Sequence, residues 1–163
     1  MAKKAILAIL DGWGLGTDNK VSAIYQANTP FIDSCYTKFP NTTLEASGLA
    51  VGLPAGQMGN SEVGHMNLGA GRVVYQNLVK LNMAVEKNTL GLEPGIQMAF
   101  EYAKLNHKKV HFIGLVSDGG VHSHIEHIIA MAKIAKANNK KVFIHIITDG
   151  RDVAPDCAAV YIN

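Results

Sequence analysis

Two apolar, β-rich segments decide the fold: Val110-His111-Phe112-Ile113-Gly114-Leu115-Val116 and Val142-Phe143-Ile144-His145-Ile146-Ile147-Thr148. The first runs into Ser117-Asp118-Gly119-Gly120 and the second into Asp149-Gly150. Between them, residues 123–137 carry apolar side chains at helical spacing, among them Ile128, Met131 and Ile134. A strand, a helix and a second strand in succession predict an α/β fold with parallel strands. Ligand chemistry is expected at the carboxyl ends of those strands.

The beginning of the chain predicts a similar element. Ala5–Leu10 is a short apolar run closed by Asp11-Gly12, which is typical of a parallel strand buried on both faces. Thr42–Ala46 is a candidate second strand. Further helices are predicted from Thr29-Pro30 onward, from Val73 to about Lys87, and from Pro94 to Leu105. We expect a domain boundary near Tyr75–Gln76, where a glycine-rich region gives way to a helix.

The composition excludes several classes of protein. The chain has 163 residues, 48% of them hydrophobic and 17% charged, which argues against a disordered or collagen-like chain. A net charge of +2 is too small to indicate a nucleic-acid or acidic-membrane partner. The apolar run near the start is shorter than a signal-peptide core, and no run approaches the ~18 residues of a membrane span. Two distant cysteines form no disulfide framework. We expect a soluble cytoplasmic protein.

The densest motif is Gly56-Gln57-Met58-Gly59-Asn60-Ser61-Glu62-Val63-Gly64-His65. Its serine lies at the start of a predicted helix, where backbone N–H groups can receive a phosphate. Ser61 could instead be a helix N-cap. An esterase nucleophile elbow is disfavoured because Val63 stands where that motif needs glycine. The hydroxyl then needs another means of activation, for which a divalent metal ion is the obvious candidate.

Asp11, at the end of the first predicted strand, is either a metal or phosphate-site carboxylate, or else an ordinary turn residue or helix cap. Nucleotide binding beside it is disfavoured. Gly12, Gly14 and Gly16 only partly match the dinucleotide fingerprint, because Thr17 replaces its last glycine and Trp13 would crowd a pyrophosphate.

Histidines and one arginine follow the two deciding strands. His122 lies in the loop after the first strand, which favours substrate contact or proton transfer. The His-x-His pattern that it forms with His124 also raises a metal site, but His124 and His127 are expected to be structural. Arg151 follows the second strand between Asp149 and Asp152, which suits recognition of a carboxylate or phosphate. The alternative is a surface Arg–Asp pair in a turn.

Taken together, these motifs resemble one family, the cofactor-independent, metal-dependent phosphoglycerate mutases. The matching residues run in order along the chain: Ile9–Gly14, Ala46–Gly48, Val51–Pro54, Gly56–His65, Gly69–Arg72, Ser117–His124 and Asp149–Asp152.

The resemblance implies interconversion of 3-phosphoglycerate and 2-phosphoglycerate in glycolysis, without 2,3-bisphosphoglycerate or a nucleotide. It implies an alkaline-phosphatase-like parallel-sheet domain with two divalent metal ions, usually manganese, and an inserted α/β substrate domain. Residues 1–76 would begin the former and residues 77–163 the latter. Ser61 would be the nucleophile that becomes phosphorylated, and Asp11 and Ser61 would bind one metal ion. His122, Arg151 and Asp152 would bind phosphoglycerate, with Asp152 as a proton carrier.

Members of this family are much longer than 163 residues, and their later segments supply most metal ligands. We therefore expect an N-terminal portion that needs a missing C-terminal portion for a complete site and shows no mutase turnover alone. Two alternatives stay open. One is a non-catalytic short form that binds a phosphorylated metabolite. The other is a metal-dependent phosphohydrolase of the alkaline phosphatase superfamily.

Overall fold

The computed structural model describes residues 3–16, 19–138 and 140–162. The chain divides into two compact units, Met1–Glu45 and Ala46–Asn163. Thr17, which interrupts the dinucleotide fingerprint, lies outside the described residues.

The first unit contains two helices, α1 (Ala23–Gln26) and α2 (Pro30–Lys38). The start of α2 at Thr29-Pro30 is confirmed: Thr29 is the N-cap residue and Pro30 the first helical residue. The Thr29 hydroxyl does not cap a backbone N–H, and instead donates to Asp33 Oδ1 at 3.0 Å.

The predicted strand at Ala5–Leu10 is wrong, because these residues form no regular element and are exposed, Ile6 at 95%. The turn expected after them is present: Trp13 N–H donates to the Leu10 carbonyl, with Gly12 at φ +79°. Thr42–Ala46 is likewise irregular, and Ser47 after it makes an isolated bridge to Met58. A strand exists only where a neighbour satisfies its backbone N–H and C=O groups, and in the described residues no partner strand pairs with either segment.

The second unit begins with a small packed module. A 3₁₀ helix (Gly48–Val51) packs against α3 (Ser61–Ala70), and Val51, Leu53 and Val63 form its buried cluster. Asn67 of α3 ties the module together. Its side-chain amide donates to the Val51 carbonyl at 3.1 Å and accepts from the Val74 N–H at 2.8 Å.

The predicted strand–helix–strand unit is confirmed as β1 (Val110–Val116), α6 (Ile125–Ala137) and β2 (Val142–Thr148). The strands pair in parallel, from Val110 opposite Val142 to Val116 opposite Thr148. Both strands therefore end at the same edge of the sheet. Helix α6 begins two residues later than predicted, because His124 is its N-cap.

The remaining helices of this unit are α4 (Asn77–Glu86), a 3₁₀ helix (Leu90–Leu92), α5 (Pro94–Leu105) and α7 (Ala158–Ile162). The helix predicted from Val73 starts only at Asn77, because Gln76 is extended and donates its N–H to the Gly52 carbonyl. The core of this region consists of Val79, Leu90, Phe100, Ala103, Val116 and Ala135.

The architecture is thus mixed α/β with a small parallel sheet, as predicted. One face of the sheet carries apolar side chains exposed to water, with Ile113 at 74%, Ile147 at 51% and Phe143 at 46%. Among the described residues, no helix combines the length and apolarity needed to cross a membrane.

Candidate functional site

The candidate site lies where β1 and β2 end side by side. Ser117 follows β1 and Asp149 follows β2, and both are buried, at 1% and 5% exposed. The Ser117 hydroxyl donates to Asp149 Oδ2 at 2.6 Å. The other carboxylate oxygen, Oδ1, accepts from the N–H groups of Arg151 (2.9 Å) and Asp152 (3.0 Å).

These donors hold Asp149 in its charged form. The Ser117 hydroxyl, followed by the Arg151 and Asp152 amides, lowers the pKa of the Asp149 carboxyl from 3.8 to about 2, against the opposing effect of burial. Asp149 is therefore an ionised, internally satisfied anchor at the end of β2.

The turn anchored by Asp149 meets the loop after β1. His122 Nε2 lies 3.8 Å from Asp152 Oδ2. The Asp152 side chain is only 9% exposed, whereas His122 is 58% exposed and Arg151 is also open to solvent. The structure thus brings His122 and Asp152 together, and Arg151 directly precedes Asp152 in the chain. The geometry suits an anionic ligand approached by one guanidinium and one imidazole, with a carboxylate to carry a proton.

Tyr161 makes a further contact with the loop after β1. Its hydroxyl donates to Asp118 Oδ1, and this bond raises the pKa of the Tyr161 phenol to about 12. Helix α7 is thereby joined to the residue that follows Ser117.

His124 and His127 make contacts that agree with the structural roles expected for them. His124 Nδ1 accepts the Glu126 N–H at 3.3 Å and so caps α6. His127 Nε2 lies 2.6 Å from Asn82 Oδ1 of α4. Burial, and then the neighbouring His124, lowers the pKa of His127, which favours its neutral form.

Ser61 is the first residue of α3, in the second unit, and it is exposed. The alternative in which Ser61 is the N-cap is wrong. Asn60 occupies that position, and its side chain accepts from the Val63 N–H at 3.1 Å. His65, one turn further on, places Nδ1 2.8 Å from the Ser61 carbonyl oxygen.

One glycine of the Ser61 motif is explained by backbone packing. A Cβ at Gly59 would lie 1.9 Å from the Ala46 carbonyl oxygen. No such crowding exists at Gly64, where a Cβ would meet nothing within 4 Å. The loop that precedes Ser61 is therefore held against residue 46 at a distance that only glycine permits.

Asp11 belongs to the first unit, where it lies exposed in the turn after residue 10. Within residues 3–16, 19–138 and 140–162, no group of three or more His, Cys, Asp or Glu side chains could hold a metal ion. The described residues therefore do not form a metal site by themselves.

Sequence reasoning assigned no role to Ser117 and did not predict its hydrogen bond to Asp149. The signal was present, because a polar residue directly follows each strand, Ser117 after β1 and Asp149 after β2, and parallel pairing in register places these two positions side by side. The contact of Tyr161 with Asp118 left no comparable signal in the sequence.

Comparison with known proteins identifies the family. Residues 81–163, just over half of the chain, match the family model described as the BPG-independent PGAM N-terminus. Curated 2,3-bisphosphoglycerate-independent phosphoglycerate mutases from Flavobacterium psychrophilum and Flavobacterium johnsoniae are each 58% identical over 100% of this chain. The relative from Aliarcobacter butzleri is 53% identical. The chain spans about a third of these relatives, 32% of each.

A solved structure gives the same result. The crystal structure of Leishmania mexicana phosphoglycerate mutase at low cobalt concentration matches 93% of this chain and 28% of its own, with a TM-score of 0.58 and 36% identity. Family model, relatives and structure agree with the resemblance carried by the motifs. The chain belongs to the 2,3-bisphosphoglycerate-independent phosphoglycerate mutase family and corresponds to an N-terminal portion of such an enzyme.

Proposed function

We propose that this chain is the part of a phosphoglycerate mutase that carries the phosphorylated serine and some of the substrate-binding residues. The reaction is the interconversion of 3-phosphoglycerate and 2-phosphoglycerate in glycolysis. The observation that carries the proposal is the meeting of the two strand-end motifs, with His122 Nε2 3.8 Å from Asp152 Oδ2, in a chain of this family.

Ser61 is the proposed nucleophile. It is exposed at the N-terminus of the ten-residue helix α3, where the helix dipole favours a phosphate. Its Oγ would bond to phosphorus while the bond from phosphorus to O3 of the glycerate breaks. The hydroxyl proton leaves Oγ, and O3 takes up a proton. Return of the phosphoryl group to O2 reverses these changes and completes the transfer.

The strand-end residues are proposed to bind the glycerate. Arg151 offers a guanidinium that can pair with a carboxylate or phosphate through two hydrogen bonds. Asp152 is proposed to carry protons between O2 and O3, and its limited exposure beside His122 supports that role.

A divalent metal ion, manganese by the resemblance, is proposed to use Asp11 and Ser61 among its ligands. Such ions take six or so oxygen ligands, and in the described part of the chain no three candidate side chains cluster. The described residues do not suffice, and we propose that the C-terminal portion present in the longer relatives supplies the other ligands.

We also propose the domain plan implied by the resemblance: residues 1–76 as part of an alkaline-phosphatase-like domain and residues 77–163 as part of an inserted domain, in a cytoplasmic enzyme. The start of the family match at residue 81 supports a boundary near 76.

A chimaera tests the catalytic role of Ser61. Residues 1–163 of this chain would replace the matching portion of the Flavobacterium johnsoniae relative, which aligns over the whole chain. We expect mutase turnover and a phosphorylated Ser61 peptide in the mass spectrum. Ser61→Ala should abolish both, by at least about 10³-fold in kcat, because no other group replaces the nucleophile. The matched control is Ser34→Ala, which removes only a solvent-exposed hydrogen bond from the Ser34 hydroxyl to the Phe31 carbonyl.

Turnover by the Ser61→Ala chimaera would contradict the proposal. The 163-residue chain alone should show none. The non-catalytic alternative is favoured by one observation, that the strand-end group is formed entirely within this chain. Calorimetric binding of 3-phosphoglycerate to the chain, combined with an inactive chimaera, would support that alternative.

A further inference from the structure

One buried carboxylate, that of Asp149, binds the backbone of the turn that carries Arg151 and Asp152. Asp149 is 5% exposed, and its Oδ1 accepts the N–H groups of both residues, at 2.9 and 3.0 Å. Its Oδ2 is occupied by the Ser117 hydroxyl. Both oxygens are thus engaged inside the protein, so Asp149 is not placed to bind a substrate itself. It fixes the backbone that presents its two neighbours.

Ser117 links this turn to β1 and α6. Its side chain is 1% exposed, and its hydroxyl oxygen accepts the Gly119 N–H at 3.3 Å while its proton goes to Asp149. Its carbonyl accepts the Ile125 N–H at 2.8 Å, at the start of α6. One buried serine therefore connects the loop that bears His122, the helix after that loop, and the turn at the end of β2.

Gly119 sets how closely the loop and the turn approach. A Cβ at Gly119 would lie 2.9 Å from Asp152 Cβ and 3.3 Å from the Asp152 carbonyl oxygen. Any side chain there would push Asp152 away from the loop. Gly150, in the turn itself, is different, because a Cβ there would come no closer than 3.5 Å to Pro155.

We propose that Ser117, Gly119 and Asp149 are positioning residues that hold Asp152 and Arg151 in the geometry needed for phosphoglycerate. This inference rests on the proposed function. A merely structural role would make the three residues matter for stability alone. Positioning means that their loss changes the site in a protein that remains folded.

The first test uses the 163-residue chain and needs no substrate. Hydrogen exchange of the Arg151 and Asp152 amides is compared with exchange of amides within the β1–β2 ladder. Asp149→Ala should speed exchange at residues 151 and 152 at least about tenfold relative to the ladder, because both amides lose their acceptor. Asp149→Asn keeps an acceptor oxygen and should restore much of the protection. Unchanged relative protection in Asp149→Ala would overturn the inference.

The second test uses the chimaera and measures kcat/KM. Gly119→Ala should lower kcat/KM at least about tenfold at a temperature where circular dichroism shows the protein folded, because Asp152 is displaced. Gly150→Ala is the matched control and should stay within about twofold. Equal kinetics for the two alanine variants would refute the positioning role.

Failure of the two proposals can be told apart. An inactive chimaera with wild-type residues speaks against the proposed function, and the exchange experiment still decides whether Asp149 holds the turn. If Asp149→Ala does not fold, Gly119→Ala carries the exchange test, with faster exchange at Asp152 expected and unchanged exchange contradicting it.

Discussion

The two compact units differ in how much they bury. No described residue of the first unit, in 3–16 and 19–45, is buried, and Ile6 and Leu7 are 95% and 77% exposed. The second unit holds the buried apolar residues, including Val79 at 2% and Phe100 at 3%. Both sequences are rich in apolar residues, so composition does not explain the contrast. The second unit contains a strand, its crossover helix and the partner strand in sequence, and these elements satisfy one another.

Core substitutions should separate the two units most strongly. Phe100→Ala removes a buried ring and should lower the free energy of unfolding by about 3–5 kcal/mol through lost burial and a residual cavity. Phe31→Ala is the matched control, because Phe31 is 73% exposed, and it should change stability by less than about 0.5 kcal/mol. Urea unfolding followed by circular dichroism measures both. Equal losses would show that the first unit is as well packed as the second.

Alanine substitutions at Gly59 and Gly64 test whether the loop before Ser61 is rigidly packed. Gly59→Ala places a Cβ against the Ala46 carbonyl and should cost about 1–3 kcal/mol or more. Gly64→Ala, inside α3 with open space, should instead stabilise by about 0.5–1 kcal/mol. The pair therefore differs in sign, which thermal unfolding detects. A neutral Gly59→Ala would mean that the loop is free to move away from residue 46.

The smallest expected effect concerns pH and the strand ends of the second unit. The pKa of Asp149 is lowered to about 2 in the folded protein, so its contribution to stability is present above its ordinary value near 3.8. That contribution is lost as the pH falls through about 2, because the unfolded chain then binds more protons. Asp149→Asn should flatten this part of the stability curve measured by urea unfolding. Ser117→Ala should flatten it in part, since the hydroxyl is the main cause of the shift. If the stability of Asp149→Asn depended on pH in the same way as that of the wild type, Asp149 would not be the source of this pH dependence.

The sequence allowed the second unit to be predicted well and the first poorly, for one physical reason. The apolar pattern of Val110–Val116 and Val142–Thr148 finds its partner nearby, so local signals predict both the strands and the convergence of their ends. Ala5–Leu10 has an equally apolar pattern, but no described strand pairs with it. An apolar strand pattern shows that a segment can form a strand, but the strand forms only where the rest of the fold provides a neighbouring strand to pair with it.

The candidate site shows the same division. His122, Arg151 and Asp152 were predicted as substrate ligands from motifs at strand ends and from the family resemblance, and that assignment stays a proposal. The anchoring bond between Ser117 and Asp149 escaped prediction, since it depends on register and burial that only the paired strands provide. The N-cap residue of α3 is Asn60 and not Ser61. The sequence alone did not distinguish the two positions, because both asparagine and serine are favoured N-cap residues.

The bond from the Tyr161 hydroxyl to Asp118 has an optical consequence. This contact raises the pKa of the Tyr161 phenol from 10.0 to about 12. In an alkaline titration, the ultraviolet band of the Tyr161 phenolate therefore appears at higher pH while α7 stays bonded to the loop than it does once that bond is lost. Difference spectra against Tyr161→Phe isolate that band. The chain thus contains its own chromophore for detecting the contact between α7 and the loop after β1, with no label attached.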